Sequence, residues 1–222
     1  MSRSLGVMET IQEHLPEWMV EAFGLVSLLG DLLVIVPLLA LLYLADVRRS
    51  LASGRSNDSL CSDRTAVLVA AVFGGLALVV LLKATFAFSR PPAELHAIDP
   101  SEYGFPSGHT MAATVFWGAL AMWSSIGRQA TRFVGVGVIV TLVGLSRFAL
   151  GVHYLFDVIA SVALGGVYLV VIAWVAQGRP ERAFAVAIAI AVLAVGVSGG
   201  STRSLLAIAG TVGGGVGWWV IG

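Results

Sequence analysis

The chain has 222 residues, 58% hydrophobic and only 12% charged, with a mean hydropathy of +0.92 and a formal net charge of zero. Soluble domains carry roughly 25% charged residues, so the composition excludes an ordinary soluble enzyme and points to an integral membrane protein. Zero net charge without a basic tract excludes nucleic acid as a natural partner, and the single cysteine, Cys61, excludes an intrachain disulfide.

Crossing the hydrocarbon takes about 20 mostly apolar residues. Residues 1–21 hold several glutamates and no apolar core, so no cleavable signal is expected and the first span serves as its own insertion signal. These residues also suit a short surface helix, with Leu15, Trp18, Met19 and Val20 dipping into the interface. The first expected span covers 22–45, interrupted by Asp31 and Pro37, and the second covers 66–88. A polar stretch follows over 91–107. Further spans cover 109–126, 133–150 and 154–176. The apolar tail from 183 to 222 is broken by Ser198-Gly199-Gly200-Ser201-Thr202-Arg203 and reads as two short spans. The expected fold is therefore an all-α polytopic bundle of six to seven transmembrane helices, six if one tail segment is re-entrant or interfacial. It divides into an N-terminal region over 1–65, a core over 66–176 and a tail over 177–222. Cys61 falls in a polar loop with no second thiol or histidine near it and is expected to be chemically idle. Trp218 and Trp219 suit an interfacial belt.

The arginines give an orientation. Arg48, Arg49, Arg55 and Arg64 follow the first span, Arg128 and Arg132 flank the turn after the third, and Arg179 and Arg182 follow the fifth. Placing these three loops in the cytoplasm satisfies the positive-inside rule and puts the N-terminus outside. Lys83, the only lysine beside twelve arginines, then lies at the outer side with Arg90, Arg147 and Arg203.

Three clusters fall at outer span ends. Lys83 and Arg90-Pro91 close the second span. They are two helical turns apart, so both cations can face a dianionic phosphate. Ser107 and Gly108 open the third span, where backbone N–H groups and the helix dipole make an anion site. Gly108 lets the backbone approach closely, and Ser107 caps the helix or donates to the phosphate. Arg147 adds a planar fork that matches two phosphate oxygens. His153 and Asp157 are neighbours on one helical face. The carboxylate can hold one ring nitrogen as N–H, which leaves the other as nucleophile or base. His109 has no sequence-local partner and is free to act as an acid. Each feature alone has a bland explanation: an interfacial histidine, a snorkelling arginine, a turn into a helix. Their joint chemistry on one face does not.

Lys83-x6-Arg90-Pro91, Pro106-Ser107-Gly108-His109 and Ser146-Arg147-x5-His153-x3-Asp157 resemble the three-part signature of the type 2 phosphatidic acid phosphatase (PAP2) superfamily, in order and at ordinary gaps. The resemblance covers about half of the chain, residues 66–176. It implies His153 as nucleophile, Asp157 as its partner, His109 as acid, and Lys83, Arg90, Ser107, Gly108 and Arg147 as phosphate ligands. It also implies a reaction that needs no metal or other cofactor. The expected substrate is a lipid phosphate or lipid pyrophosphate monoester: phosphatidate, phosphatidylglycerophosphate or an isoprenyl diphosphate. No carboxylate cluster or metal-spaced histidine set appears in the sequence.

Between the first two clusters, His96, Glu94, Asp99, Glu102 and Tyr103 are candidate headgroup contacts in a turn-rich lid marked by Pro100 and Gly104. Asp31, ionisable at membrane depth, is either functional or packed against a neighbour's polar group. Two other activities fit the same residues: transfer of the phosphoryl group to an alcohol acceptor, and a non-catalytic transporter or scaffold. No inverted repeat supports the latter.

Overall fold

The computed structural model describes residues 5–52, 60–100, 103–124 and 127–221. Arg55 and Glu102 lie outside the described residues. Among those described, the protein is all helical: α1 (Leu5–His14), α2 (Glu17–Ser27), α3 (Leu32–Ala52), α4 (Asp63–Phe86), α5 (Gly108–Trp123), α6 (Gln129–Ala149), α7 (Leu155–Ala176), α8 (Pro180–Ser198) and α9 (Thr202–Ile221). Helix is what apolar sequence must form where no water can satisfy the backbone.

By length and apolarity, α4, α6, α7 and α8 can each cross a membrane, and α2 with α3 counts as a fifth, bent span. The 16-residue α5 and the glycine-rich α9 complete the expected apolar segments. One boundary differs from the sequence reading. The segment over 22–45 is not one straight helix but breaks at Leu28–Gly30, with a 41° bend. The cause is Asp31: its Oδ1 accepts the Leu33 N–H at 2.8 Å, which starts a new helix in place of continuing the old one. Nor do residues 5–21 form a single surface helix. α1 packs against α6 and the turn Ala93–Leu95, with Met8 buried and the Gln12 side-chain amide donating to the Ala149 carbonyl.

α5 is the centre of the bundle and packs against α4, α6 and α7, with Phe116 fully buried. α8 lies along α4, and α9 packs on both. The α4–α8 contact is close because Gly74 has no side chain. A methyl there would sit 2.9 Å from the Ala187 Cβ and overlap the Tyr168 hydroxyl. Small residues at such crossings let membrane helices gain van der Waals contact, which drives their association in place of the hydrophobic effect. Tyr168 spends its buried hydroxyl on the Ala71 carbonyl at 2.8 Å, tying α7 to α4. Cys61 is buried against this core just before Ser62, the N-cap of α4, and does not lie in solvent as its polar neighbours suggest.

The helix ends decide where chemistry can be placed. α4 stops at Ala87, which takes a left-handed φ of 46° and returns its N–H to the Lys83 carbonyl; Pro91-Pro92 then prevents any continuation. α6 ends at Ala149 and α7 starts at Leu155, so a five-residue link carries His153. The last turn of α4, the first turn of α5, the last turn of α6 and the first turn of α7 meet at one end of the bundle.

Candidate active site

From α4 comes Lys83, whose ammonium donates to the Tyr103 carbonyl at 2.6 Å. An ammonium has three donors, so two remain for other acceptors. Past the helix end, Arg90 donates from Nη1 to the Val152 carbonyl at 2.6 Å and lies 3.2 Å from His153 Nε2. Burial pushes the Arg90 guanidinium down to about 10; Asp157 opposes this and Arg203 adds to it. It remains charged at neutral pH.

α5 supplies Ser107, Gly108 and His109. Ser107 is the N-cap residue by position, but its hydroxyl pairs with Thr110 Oγ1 at 2.9 Å and makes no cap bond. The Ser107 backbone N–H donates to Ser161 Oγ on α7 at 2.8 Å. A methyl on Gly108 would touch Lys83 Cε and Val79 Cγ1 at 3.6 Å, ordinary contact. The packing alone therefore does not demand glycine there. The space it leaves lies beside the Lys83 side chain. His109 Nε2 meets Asp31 Oδ2 at 3.0 Å.

From α6 comes Arg147, buried to 5% exposure, with an Nε that has no hydrogen-bond partner. Buried donors are nearly always satisfied, and an exception calls for an explanation. A bound anion is the natural one for a guanidinium. Ser146 is turned away, donating to the Val143 carbonyl at 2.7 Å.

His153 is 1% exposed. Its Nδ1 faces Asp157 Oδ2 at 3.6 Å, an ion-pair separation longer than a made hydrogen bond. The same carboxylate oxygen accepts the Tyr154 N–H at 2.9 Å in a capping box that starts α7. Burial holds the His153 imidazole well below its ordinary value, and Arg90, Lys83 and Arg147 push the same way, with only a Gly104 backbone bond opposing. The ring is neutral at physiological pH. The Arg90 N–H beside Nε2 makes that nitrogen the one with the lone pair, and leaves the proton on Nδ1, facing Asp157.

All eight residues expected to do catalysis or bind phosphate thus stand at one end of the bundle. Of the headgroup candidates, Tyr103 reaches this group through its carbonyl, on Lys83. His96 turns back on its own loop, with Nε2 3.0 Å from the Pro91 carbonyl. Glu94 is exposed on a short 3-10 turn, and Tyr103 serves through its carbonyl while its ring is exposed. The loop is anchored to the α6–α7 link by the Ala97 N–H on the Leu150 carbonyl at 3.1 Å, and to the segment just past the end of α4 by the Gly104 N–H on the Phe88 carbonyl at 2.8 Å. Ser161 and Thr110 join the site with no expectation attached, while Asp31, expected either to function or to pack against a neighbour's polar group, meets His109. Ser161 lies four residues after Asp157 and Thr110 three after Ser107, so same-face helical spacing was a usable signal for both. Among the described residues, no group of three or more His, Cys, Asp or Glu could hold a metal ion.

The model of the PAP2 superfamily matches residues 64–181, just over half of the chain and all three clusters. The chain belongs to the PAP2 superfamily. A decaprenylphosphoryl-5-phosphoribose phosphatase of Mycobacterium tuberculosis is 39% identical over 113 residues, covering 50% of this chain and 60% of that one. The phosphatidylglycerophosphatase B of Bacillus subtilis is 34% identical over 74 residues, 31% of this chain and 36% of that one. The chain thus spans less than two thirds of the length of these relatives. Two solved structures share the fold. The PAP2-type phosphatidylglycerolphosphate phosphatase of Bacillus subtilis has a TM-score of 0.59 at 23% identity, covering 78% of this chain and 85% of that one. Aquifex aeolicus LpxE has a TM-score of 0.56 at 23% identity, covering 76% and 93%.

Proposed function

We propose that this PAP2 protein hydrolyses a lipid phosphate or lipid pyrophosphate monoester without a metal, through a phosphohistidine on His153, at the non-cytoplasmic face of the membrane. One observation carries the reading: a fully buried imidazole with Nε2 against Arg90, in the field of Lys83 and of an Arg147 whose Nε has no hydrogen-bond partner. Three cations around one nucleophilic nitrogen suit a phosphoryl group, whose negative charge spreads over its equatorial oxygens during transfer.

In the first step Nε2 of His153 attacks phosphorus, a P–N bond forms, and the P–O bond to the lipid breaks. His109 gives a proton to the departing lipid alkoxide, or to the departing lipid phosphate where the substrate is a pyrophosphate, and Asp157 stabilises the positive ring of the phosphohistidine. In the second step His109 takes a proton from water, the hydroxide attacks phosphorus, and the P–N bond breaks to release inorganic phosphate. Lys83, Arg90, Arg147 and the N–H groups at the start of α5 hold the phosphoryl oxygens throughout.

A membrane-embedded bundle makes a lipid the natural bearer of the phosphate. The names of the relatives, a prenyl-linked phosphoribose phosphatase and a phosphatidylglycerophosphatase, support a lipid phosphomonoester as the class. Arg48, Arg49 and Arg64 stand at the bundle end opposite the site, with Arg128, Arg132, Arg179 and Arg182, which supports an outward-facing site by the positive-inside rule.

The test is phosphate release by purified protein in detergent with EDTA, offering phosphatidate, phosphatidylglycerophosphate and an isoprenyl diphosphate to wild type and His153→Ala. EDTA-resistant release that the variant lacks supports the reading, and acid-labile label on the wild type from a phosphorus-labelled substrate supports the intermediate. Release unchanged in His153→Ala overturns it.

A further inference from the structure

The residue that holds the proposed acid, His109, comes from outside all three signature clusters. Asp31 sits at the break between α2 and α3, and its two carboxylate oxygens are divided between tasks. Oδ1 accepts the Leu33 N–H at 2.8 Å and starts α3. Oδ2 lies 3.0 Å from His109 Nε2. Local capping alone would not need the second contact.

The break is also fixed against α5 itself. Trp117, two turns below His109, donates its indole N–H to the Leu29 carbonyl at 2.9 Å. Gly30 lets the two backbones touch, since a methyl there would overlap the His109 carbonyl. Asp31 is thus delivered to the ring by a bend pinned on both sides, and both side chains stay part-exposed, at 29% and 28%, where a substrate can reach the ring.

We propose that Asp31 is the positioning residue for His109. Its carboxylate shares the proton on Nε2, fixes the plane of the ring, and stabilises the doubly protonated form from which the other ring nitrogen protonates the departing alkoxide. In the return step, the same pairing holds the ring as it takes a proton from water. The site would then carry two histidine–aspartate pairs, His153 with Asp157 from one helix face and His109 with Asp31 from across the bundle. This rests on His109 being the acid, as proposed above.

The test separates an acid's partner from a mere strut. An acid is needed for an alkoxide leaving group and hardly needed for a nitrophenolate, which departs unprotonated. Full-length protein in detergent with EDTA is offered an alkyl phosphate and a nitrophenyl phosphate carrying the same tail, and kcat/KM is measured for both, because it reports steps up to leaving-group departure. Asn at position 31 keeps an oxygen for the Leu33 N–H, so Asp31→Asn preserves the helix start. Expected is a loss of roughly ten- to a hundredfold on the alkyl phosphate and less than about threefold on the nitrophenyl phosphate, with Asp31→Glu partly restored and His109→Ala showing the same asymmetry more strongly.

Equal losses on both substrates make Asp31 a strut and overturn the proposal. Asymmetry in His109→Ala without asymmetry in Asp31→Asn overturns it alone and leaves His109 as the acid. No asymmetry in either variant removes both assignments. Thermal unfolding of each variant separates misfolding from these outcomes: unfolded Asp31→Asn moves the comparison to Asp31→Glu, for which equal losses on both substrates again overturn the proposal.

Discussion

Nη1 of Arg90 lies 3.2 Å from Nε2 of His153 while also donating to the Val152 carbonyl, one residue before that histidine. One guanidinium therefore holds both the ring and the backbone of the link between α6 and α7. A guanidinium can hold both because its five donors point outward from a rigid plane.

Lysine at this position keeps the charge and loses the fork. Arg90→Lys is expected to lower kcat/KM on a lipid phosphate by about a hundredfold, close to the effect of Arg90→Ala. Steady-state phosphate release from the two variants checks it. Full activity in Arg90→Lys would mean that charge alone is used.

Arg90 also enters the pH dependence. The proposed mechanism requires the neutral ring of His153, and burial first, then the three cations, hold that ring well below the ordinary imidazole value of 6.5. Protonation therefore begins only at more acid pH, and the acid limb of kcat/KM is expected below that value. Removing a neighbouring cation makes the charged ring less costly and raises its pKa. The acid limb should move to higher pH in Arg90→Ala and stay short of the ordinary value, because burial, the largest cause, remains. A pH profile of both proteins on one substrate reads this directly, and a limb that moves downward contradicts the sign.

Legibility differed among these groups for a physical reason. Lys83, Arg90, His153 and Asp157 lie at helical spacings or beside a proline stop, so local geometry predicts that they face one way. The contact between Asp31 and His109 spans 78 residues and depends on a bend, which no periodicity records. Asp31 was visible only as a charge at membrane depth, and its partner stayed open. The contact of His96 Nε2 with the Pro91 carbonyl, five residues back, is likewise not given by any periodicity. Apolar runs located the helices well, because lipid leaves a backbone few alternatives. They could not tell that α5, one of the shortest, is central, since its burial comes from its neighbours.

Ser161 is the next test of what local spacing suggested. Fully buried, its hydroxyl donates to the Asp157 carbonyl and accepts the Ser107 N–H, so it links α7 to the start of α5. Ser161→Ala leaves a buried amide without a partner, a cost of about 1–3 kcal/mol, and releases the α5 start that faces Lys83. Thermal unfolding should fall accordingly, and kcat/KM should drop on the order of tenfold. Ser161→Thr, which keeps the hydroxyl, should recover most of the stability. Unchanged stability in Ser161→Ala would mean that water or another group satisfies the Ser107 amide.

Cys61 gives a check on the opposite end of the bundle, and it needs no assay of activity. Only 1% exposed, its thiol is pushed up to about 12, by burial first and then by the carboxylates of Asp46 and Asp63. The thiolate is the reactive species. At neutral pH its fraction is lower by roughly three powers of ten than for a free cysteine of pKa about 8.5. Folded protein in detergent is therefore expected to resist maleimide over hours, and the same protein in denaturant to react within minutes. As the chain has one cysteine, mass spectrometry reads a single addition without ambiguity. Replacing the oxygen contacts without opening the core, as in Asp46→Asn, should speed the folded-state reaction only modestly, because burial dominates. Rapid labelling of the folded wild type would show that the α3–α4 junction opens on the time scale of the reaction, and that the packing around Ser62 is looser than its hydrogen bonds to Asp46 at 2.8 Å imply.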